Sequence, residues 1–142
     1  ASCVMFDGSG NRVDTIWYRQ LKSKDGSIVH TGDNRTGEGE GDDEQINVDL
    51  SAVPAEVKTL VFVVNSFTGD TFREIENAFC RLVNLETNEE LARYNLSCQG
   101  NHTAQVMAKV QRGAAGWEMT AIGENAHGRT FDKLLPAMKP HL

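Results

Sequence analysis

The chain has 142 residues, 39% of them hydrophobic, and carries 14 Lys and Arg against 20 Asp and Glu for a net charge of −6. That size suits one domain around one core, and the negative balance argues against a general nucleic-acid or anionic-membrane surface. The three cysteines (Cys3, Cys80 and Cys98) show no CxxC spacing, which argues against a zinc site or a disulfide framework. They read as reduced thiols of a cytoplasmic protein. No run reaches the roughly 18 apolar residues of a membrane span, and no signal peptide is read at the start.

In chain order, residues 1–6 form an apolar run that predicts a strand, and Asp7-Gly8-Ser9-Gly10-Asn11 is a turn. Residues 12–18 alternate loosely and read as the return strand of a hairpin. Asp25-Gly26 marks a second turn. Ile28-Val29-His30 is a short strand leading into an acidic stretch, and the alternation of residues 45–50 predicts a strand leaving it. Residues 51–57 read as a helical turn capped by Ser51, with Pro54 near its beginning. Leu60-Val61-Phe62-Val63-Val64 is the most apolar run, a central strand expected to be buried on both faces. Residues 78–85 and 89–96 flank Glu86-Thr87-Asn88 as a hairpin. Residues 104–111 and 117–122 flank Gly113-Ala114-Ala115-Gly116 as another. One helical turn or two is expected between residues 130 and 138. Short strands separated by turns predict an all-β fold, an antiparallel β-sandwich with short helical turns and one long acidic loop, as a single domain over 1–142.

The acidic stretch concentrates the charge. Between Asp33 and Glu44 there are six acids (Asp33, Glu38, Glu40, Asp42, Asp43, Glu44) and one base, Arg35, so 1 − 6 gives −5. The remaining 14 acids and 13 bases sum to −1. Two carboxylates about 6 Å apart in water repel by roughly 0.7 kcal/mol. Six within twelve residues therefore resist a compact loop unless a cation offsets them. Glycines at 32, 37, 39 and 41 let the backbone turn tightly and bring its carbonyls inward. Oxygen-only, flexible and many-liganded describes calcium better than magnesium, which keeps a strict octahedron. Zinc would want Cys or His, and only His30 is near. The expected ligands are Asp33, Asn34, Gly37, Glu38, Glu40, Asp42, Asp43 and Glu44. The plain alternative is a solvated loop that keeps the protein soluble, although solubility gives no reason for interleaved glycines. Asp7 to Asn11 begins like an EF-hand loop, but Arg12 and Tyr18 stand where that loop needs Gly and Glu, so a tight turn is the better account.

The run Val29-His30-Thr31-Gly32-Asp33-Asn34-Arg35-Thr36-Gly37-Glu38-Gly39-Glu40-Gly41-Asp42-Asp43-Glu44 closely resembles the TerD family of tellurite-resistance and stress-response proteins. Val53-Pro54, Val61-Phe62-Val63-Val64, Asn77-Ala78-Phe79, Arg81-Leu82-Val83-Asn84, Ala92-Arg93-Tyr94 and Trp117 extend the resemblance over about residues 1 to 128. It implies a β-sandwich, calcium held by loops at one end, and roles in tellurite, oxidative or phage stress. It also implies other Ter-family proteins or self-association as partners, with peripheral membrane association through them and no nucleic acid. Two departures stand out. Family members usually carry a strand and an acidic stretch, with some of the ligands, ahead of the position of Ala1. The stretch after Val64 is Asn65-Ser66-Phe67-Thr68-Gly69-Asp70, where the family is His-Asp-containing; Asp70 is the candidate substitute.

No nucleophile with its base is visible, and the chain reads as a binding or scaffold module instead of an enzyme. Two other readings stay open. One is a protein-interaction module with a structural acidic loop and surfaces formed by Trp17, Trp117 and the tail. The other is a metal-dependent hydrolase using Asp42, Asp43 and His30.

Overall fold

The computed structural model describes residues 2–17, 19–31, 45–65, 79–84, 87, 89–95, 104–114, 116–126 and 134–142. Their strands are β1 (Ser2–Asp7), β2 (Arg12–Ile16), β3 (Ile28–His30), β4 (Ile46–Val48), β5 (Val57–Asn65), β6 (Phe79–Asn84), β7 (Glu89–Asn95), β8 (Ala104–Gly113) and β9 (Gly116–Ala126). A 3-10 turn spans Leu50–Ala52, and a short helix, α1 (Leu135–Met138), runs into a second 3-10 turn at Lys139–His141. The fold is all-β. One sheet has the order β2-β1-β5-β8-β9, and two further pairs are β3-β4 and β6-β7. The pairs β1-β2, β3-β4 and β6-β7 are antiparallel.

Local chemistry sets the first hairpin. Asp7 Oδ1 accepts from the backbone N–H of Ser9 and of Asn11, each at 2.9 Å, and Gly10 takes φ +80°. A side chain that caps its own turn in this way favours the reversal. Cys3, Val4, Met5 and Phe6 are all fully buried. Successive strand residues point to opposite faces, so β1, between β2 and β5, is covered on both.

β5 is the third of five strands, as its apolar run predicts. It starts at Val57, three residues before that run, because Val57 and Thr59 are buried as well. Phe62 and Val64 are only half-buried, so burial on both faces stops short of the full run. The turn after β4 differs from expectation in its bounds and in its cap: it covers Leu50–Ala52 instead of residues 51–57, with Pro54 outside it and Val57 already in β5. Asp49, not Ser51, occupies the cap position, and its Oδ1 accepts from the N–H and the hydroxyl of Ser51. Aspartate ranks with serine as a cap, and here one carboxylate oxygen takes both donors.

Two compact units are distinguishable. The first comprises Ala1–Phe62, Lys109–Met119 and Leu142. Its core is Cys3, Met5, Ile16, Ile28, Val53, Val57, Leu60 and Val110, with Ile46, Val48, Leu50, Phe62, Trp117 and Met119 packed against them. Arg112 secures this unit over long sequence distance. Its guanidinium donates to the carbonyls of Val53, Pro54 and Val57 and lies 4.2 Å from the centre of the Trp117 ring. The indole N–H of Trp117 in turn reaches Leu50 O at 3.2 Å. The planar, multi-donor guanidinium suits several carbonyls and one aromatic face together.

The second unit comprises Val63–Ala108 and Thr120–His141. β6 and β7 pair from Phe79↔Asn95 to Asn84↔Glu89, with a register shift between Leu82 and Val83. Leu134 and Met138 are buried at the two ends of the α1 segment, and His141 Nε2 lies 2.6 Å from Glu124 Oε2 on β9.

Candidate metal centre

The framework around the acidic loop is a small ladder. Before β3, Asp25 Oδ1 accepts from Ser27 N at 2.8 Å and from the Ser23 hydroxyl at 3.2 Å, while Gly26 takes φ +84°. Partial burial pushes the Asp25 carboxyl up, but the hydrogen bonds from Ser27 and Ser23 outweigh it and hold the group below its ordinary value. That turn lays the preceding segment alongside β3. Lys22 pairs with Val29, Ser23 N donates to Ile28 O, and His30 N donates to Leu21 O at 2.6 Å. On the other side, Ile28, Val29 and His30 face Val48, Asn47 and Ile46. Below the ladder, Ile28 is fully buried, with Ile46 and Val48 packed on the same core.

One step beyond the last pair, Thr31 N donates to Gln45 O at 2.9 Å, and Gln45 N donates to the Thr31 hydroxyl at 2.9 Å. These bonds form a neck. Thr31 and Gln45, the residues that flank the stretch 32–44 and its six carboxylates in the sequence, are thereby held side by side. The expected ligands themselves (Asp33, Asn34, Gly37, Glu38, Glu40, Asp42, Asp43 and Glu44) lie outside the described residues, as does Asp70.

The acids that are described near this framework already have structural work. Asp14, buried, accepts from Thr15 N, Gln20 Nε2 and Lys24 N. Asp25 holds its own turn and Asp49 caps the one after β4. Asp7 spends an oxygen on two backbone N–H groups, which agrees with a tight turn and leaves no EF-hand. Among the described residues, no group of three or more His, Cys, Asp and Glu side chains is placed to hold a metal ion.

In the sequence, residues 32–44 offer oxygen atoms as their only metal-binding side-chain donors. Such a set fits a hard cation such as calcium. Soft donors are unsuited here. Burial pushes the Cys3 thiol far up from its ordinary value, with the Asp14 carboxylate adding to the effect, so it stays protonated. The imidazole of His30 is 2% exposed, which buries it away from a substrate that a hydrolase would have to engage.

Sequence reasoning did not find the Thr31–Gln45 pair. The signal was present in the strand alternation on either side of the loop, which aligns these two residues once β3 and β4 are placed in register. No helix of the described residues is long and apolar enough to cross a membrane.

With this geometry in place, comparison with known proteins becomes informative. A family model described as the TerD domain matches residues 1–136. The chain is 52% identical over 134 residues to the tellurium resistance protein TerZ of Serratia marcescens, covering 94% of this chain and 69% of that protein. It is 41% identical over 136 residues to general stress protein 16U of Bacillus subtilis (strain 168), covering 90% of this chain and 70% of the relative. In three dimensions it is similar to the crystal structure of a homologue of the telluride resistance protein TerD from Streptomyces coelicolor A3(2). The TM-score is 0.79 with 21% identity, over 89% of this chain and 78% of the other, a likeness of fold.

Proposed function

The chain belongs to the TerD family, and from that premise we propose that it is a calcium-binding module of tellurium-resistance and stress-response systems. The observation that carries this reading is the neck. Thr31 and Gln45, which flank a stretch with a net charge of −5, are hydrogen-bonded to each other. Asp33, Glu38, Glu40, Asp42, Asp43 and Glu44 would supply charged oxygens, with Asn34 and the Gly37 carbonyl as neutral ones. Bound calcium offsets the mutual repulsion of the carboxylates and ties the loop to its base. The β3-β4 ladder orients the two chain ends, and the buried Ile28 fixes that ladder to the core.

The module acts by binding, as one domain in the cytoplasm, with other Ter-family proteins or a second copy of itself as partner. The relatives named for tellurium resistance and general stress support that setting. Titration calorimetry tests the centre. Calcium should bind with a dissociation constant on the order of micromolar, the range of sensor sites. Asp42→Ala combined with Asp43→Ala should abolish the heat. A wild-type protein that takes up no calcium at millimolar concentration would sink the reading and leave a solubility loop. Partner capture that is indifferent to chelator would instead favour an interaction module in which the loop is only structural.

A further inference from the structure

We propose that Asp14 is an edge guard: its carboxylate occupies the open side of β2, where a second copy of this chain would otherwise add its own β2 and extend the sheet. The proposal is independent of the calcium reading. β2 ends the five-stranded sheet, and an unpaired strand edge offers its N–H and C=O groups to any other strand. Which groups face out follows from the hairpin. Asp7 N donates to Asn11 O, so Asp7 faces β2, and by alternation Met5 and Cys3 do too while Val4 faces β5. Thr15 stands opposite Val4, so its N–H and C=O point away from β1, as do those of Trp17 two residues on.

The chain's own atoms take up this edge. The N–H and C=O of Trp17 pair with the C=O and N–H of Gln20, each at 3.0 Å. The Thr15 N–H donates to Asp14 Oδ1 at 2.8 Å. The Thr15 carbonyl is the one group that these bonds leave over. Asp14, itself buried, also accepts from Gln20 Nε2 at 2.7 Å and Lys24 N at 2.9 Å, which ties the segment after the turn to the same carboxylate. A charged side chain turned inward at the edge, with a loop fastened to it, keeps a strand from pairing. What it holds off is self-complementary. With Thr15 facing Thr15 of a second copy across a two-fold axis, the two residues exchange N–H···O bonds in both directions. The same register sets Val13 opposite Trp17 of the copy. Val13 is an exposed large hydrophobic residue and Trp17 is half-buried, and a β-branched residue against an aromatic one is a favourable cross-strand pair.

The test compares the full wild-type chain with Asp14→Ala and with Asp14→Leu, which fills the site without an oxygen. Molar mass is measured by sedimentation equilibrium over a wide range of protein concentration, and exchange of the Thr15 amide hydrogen is read at both ends of that range. In the wild type that amide should be protected to the same degree throughout. In the variants at low concentration it should exchange about tenfold faster or more, the loss of a hydrogen bond to a charged acceptor. At high concentration their mass should rise to twice that of the wild type and the Thr15 amide should regain protection. A variant that folds and keeps the wild-type mass at every concentration, or associates without renewed protection at Thr15, overturns the proposal. So does Thr15 protection that grows with concentration in the wild type, since the edge would then be open. Loss of the folded melting transition in both variants overturns it too, because Asp14 would then serve the fold alone.

Discussion

Two connections in the first unit are rich in acid and glycine, and they use their carboxylates differently. Between β1 and β2, Asp7 is one carboxylate serving a short turn, and one of its oxygens accepts from two backbone N–H groups. Between β3 and β4, the sequence of residues 32–44 holds six carboxylates, while the flanking Thr31 and Gln45 pair with each other. Acidic and glycine-rich composition alone therefore does not define a metal centre. The useful quantity is the number of carboxylates beyond those that the local backbone can employ. The first connection is a structural turn by its hydrogen bonds, while the second carries six acids against one base in its sequence, the excess negative charge on which the calcium proposal rests.

The comparison can be broken most sharply by exchanging the insults. Asp42→Ala with Asp43→Ala should eliminate calcium binding in calorimetry and leave the melting temperature in EDTA unchanged or raised, since like-charge repulsion is relieved. Asp7→Ala should do the reverse, lowering the melting temperature in EDTA with calcium affinity intact. If Asp7→Ala weakened calcium binding as much as the double variant, the two connections would not be separate in function.

Next in size is the ion's own effect on stability. At free calcium about 100-fold above the dissociation constant, linkage adds about 2.7 kcal/mol, or roughly 10 °C in melting temperature for a chain of this length. The rise should be absent in Asp42→Ala/Asp43→Ala and preserved in Asp7→Ala. A melting temperature that does not move between EDTA and millimolar calcium would contradict the assignment of the second connection.

The smallest expected effect is the pH dependence that Asp7 contributes at the first connection. The Asp7 carboxyl is held below its ordinary value, chiefly by the hydrogen bond from Asn11 N–H and further by that from Ser9. A carboxyl lowered on folding stabilises fully above its unfolded value, about 3.9, and loses that contribution as pH falls through the folded value. Wild type should thus melt above Asp7→Asn near neutral pH, and the gap should close below about pH 4. A gap that persists unchanged at pH 3 would mean that the charge of Asp7 contributes nothing to the turn.

Much of the fold was legible because its signals are local. Ile28-Val29-His30 was read as a strand at its observed bounds, since Asp25-Gly26 breaks the chain just before it and the glycine run begins just after. The turns at Asp7 and Asp25 follow from side chains that bond within four residues of themselves. The cap at Asp49 was misassigned to Ser51 because both residue types cap well. The choice depended on where β4 ended, at Val48, and not on either residue alone. β5 began earlier than its apolar run because Thr59, polar by composition, is buried in the sheet. Arg112 gave no sequence signal at all, since its three carbonyl partners lie 55 or more residues away.

By itself the sequence determined the charge of the acidic loop, its glycine spacing and the short-range turns, because each depends on residues within a few positions of one another. Only the tertiary structure decided that Thr31 meets Gln45 across a 14-residue separation and that Arg112 reaches Val53, Pro54 and Val57. Contacts of that kind exist only once buried residues such as Ile28, Val57 and Leu60 have brought distant strands together. The core's apolar burial offsets the entropy of closing those intervals, which no local preference can do.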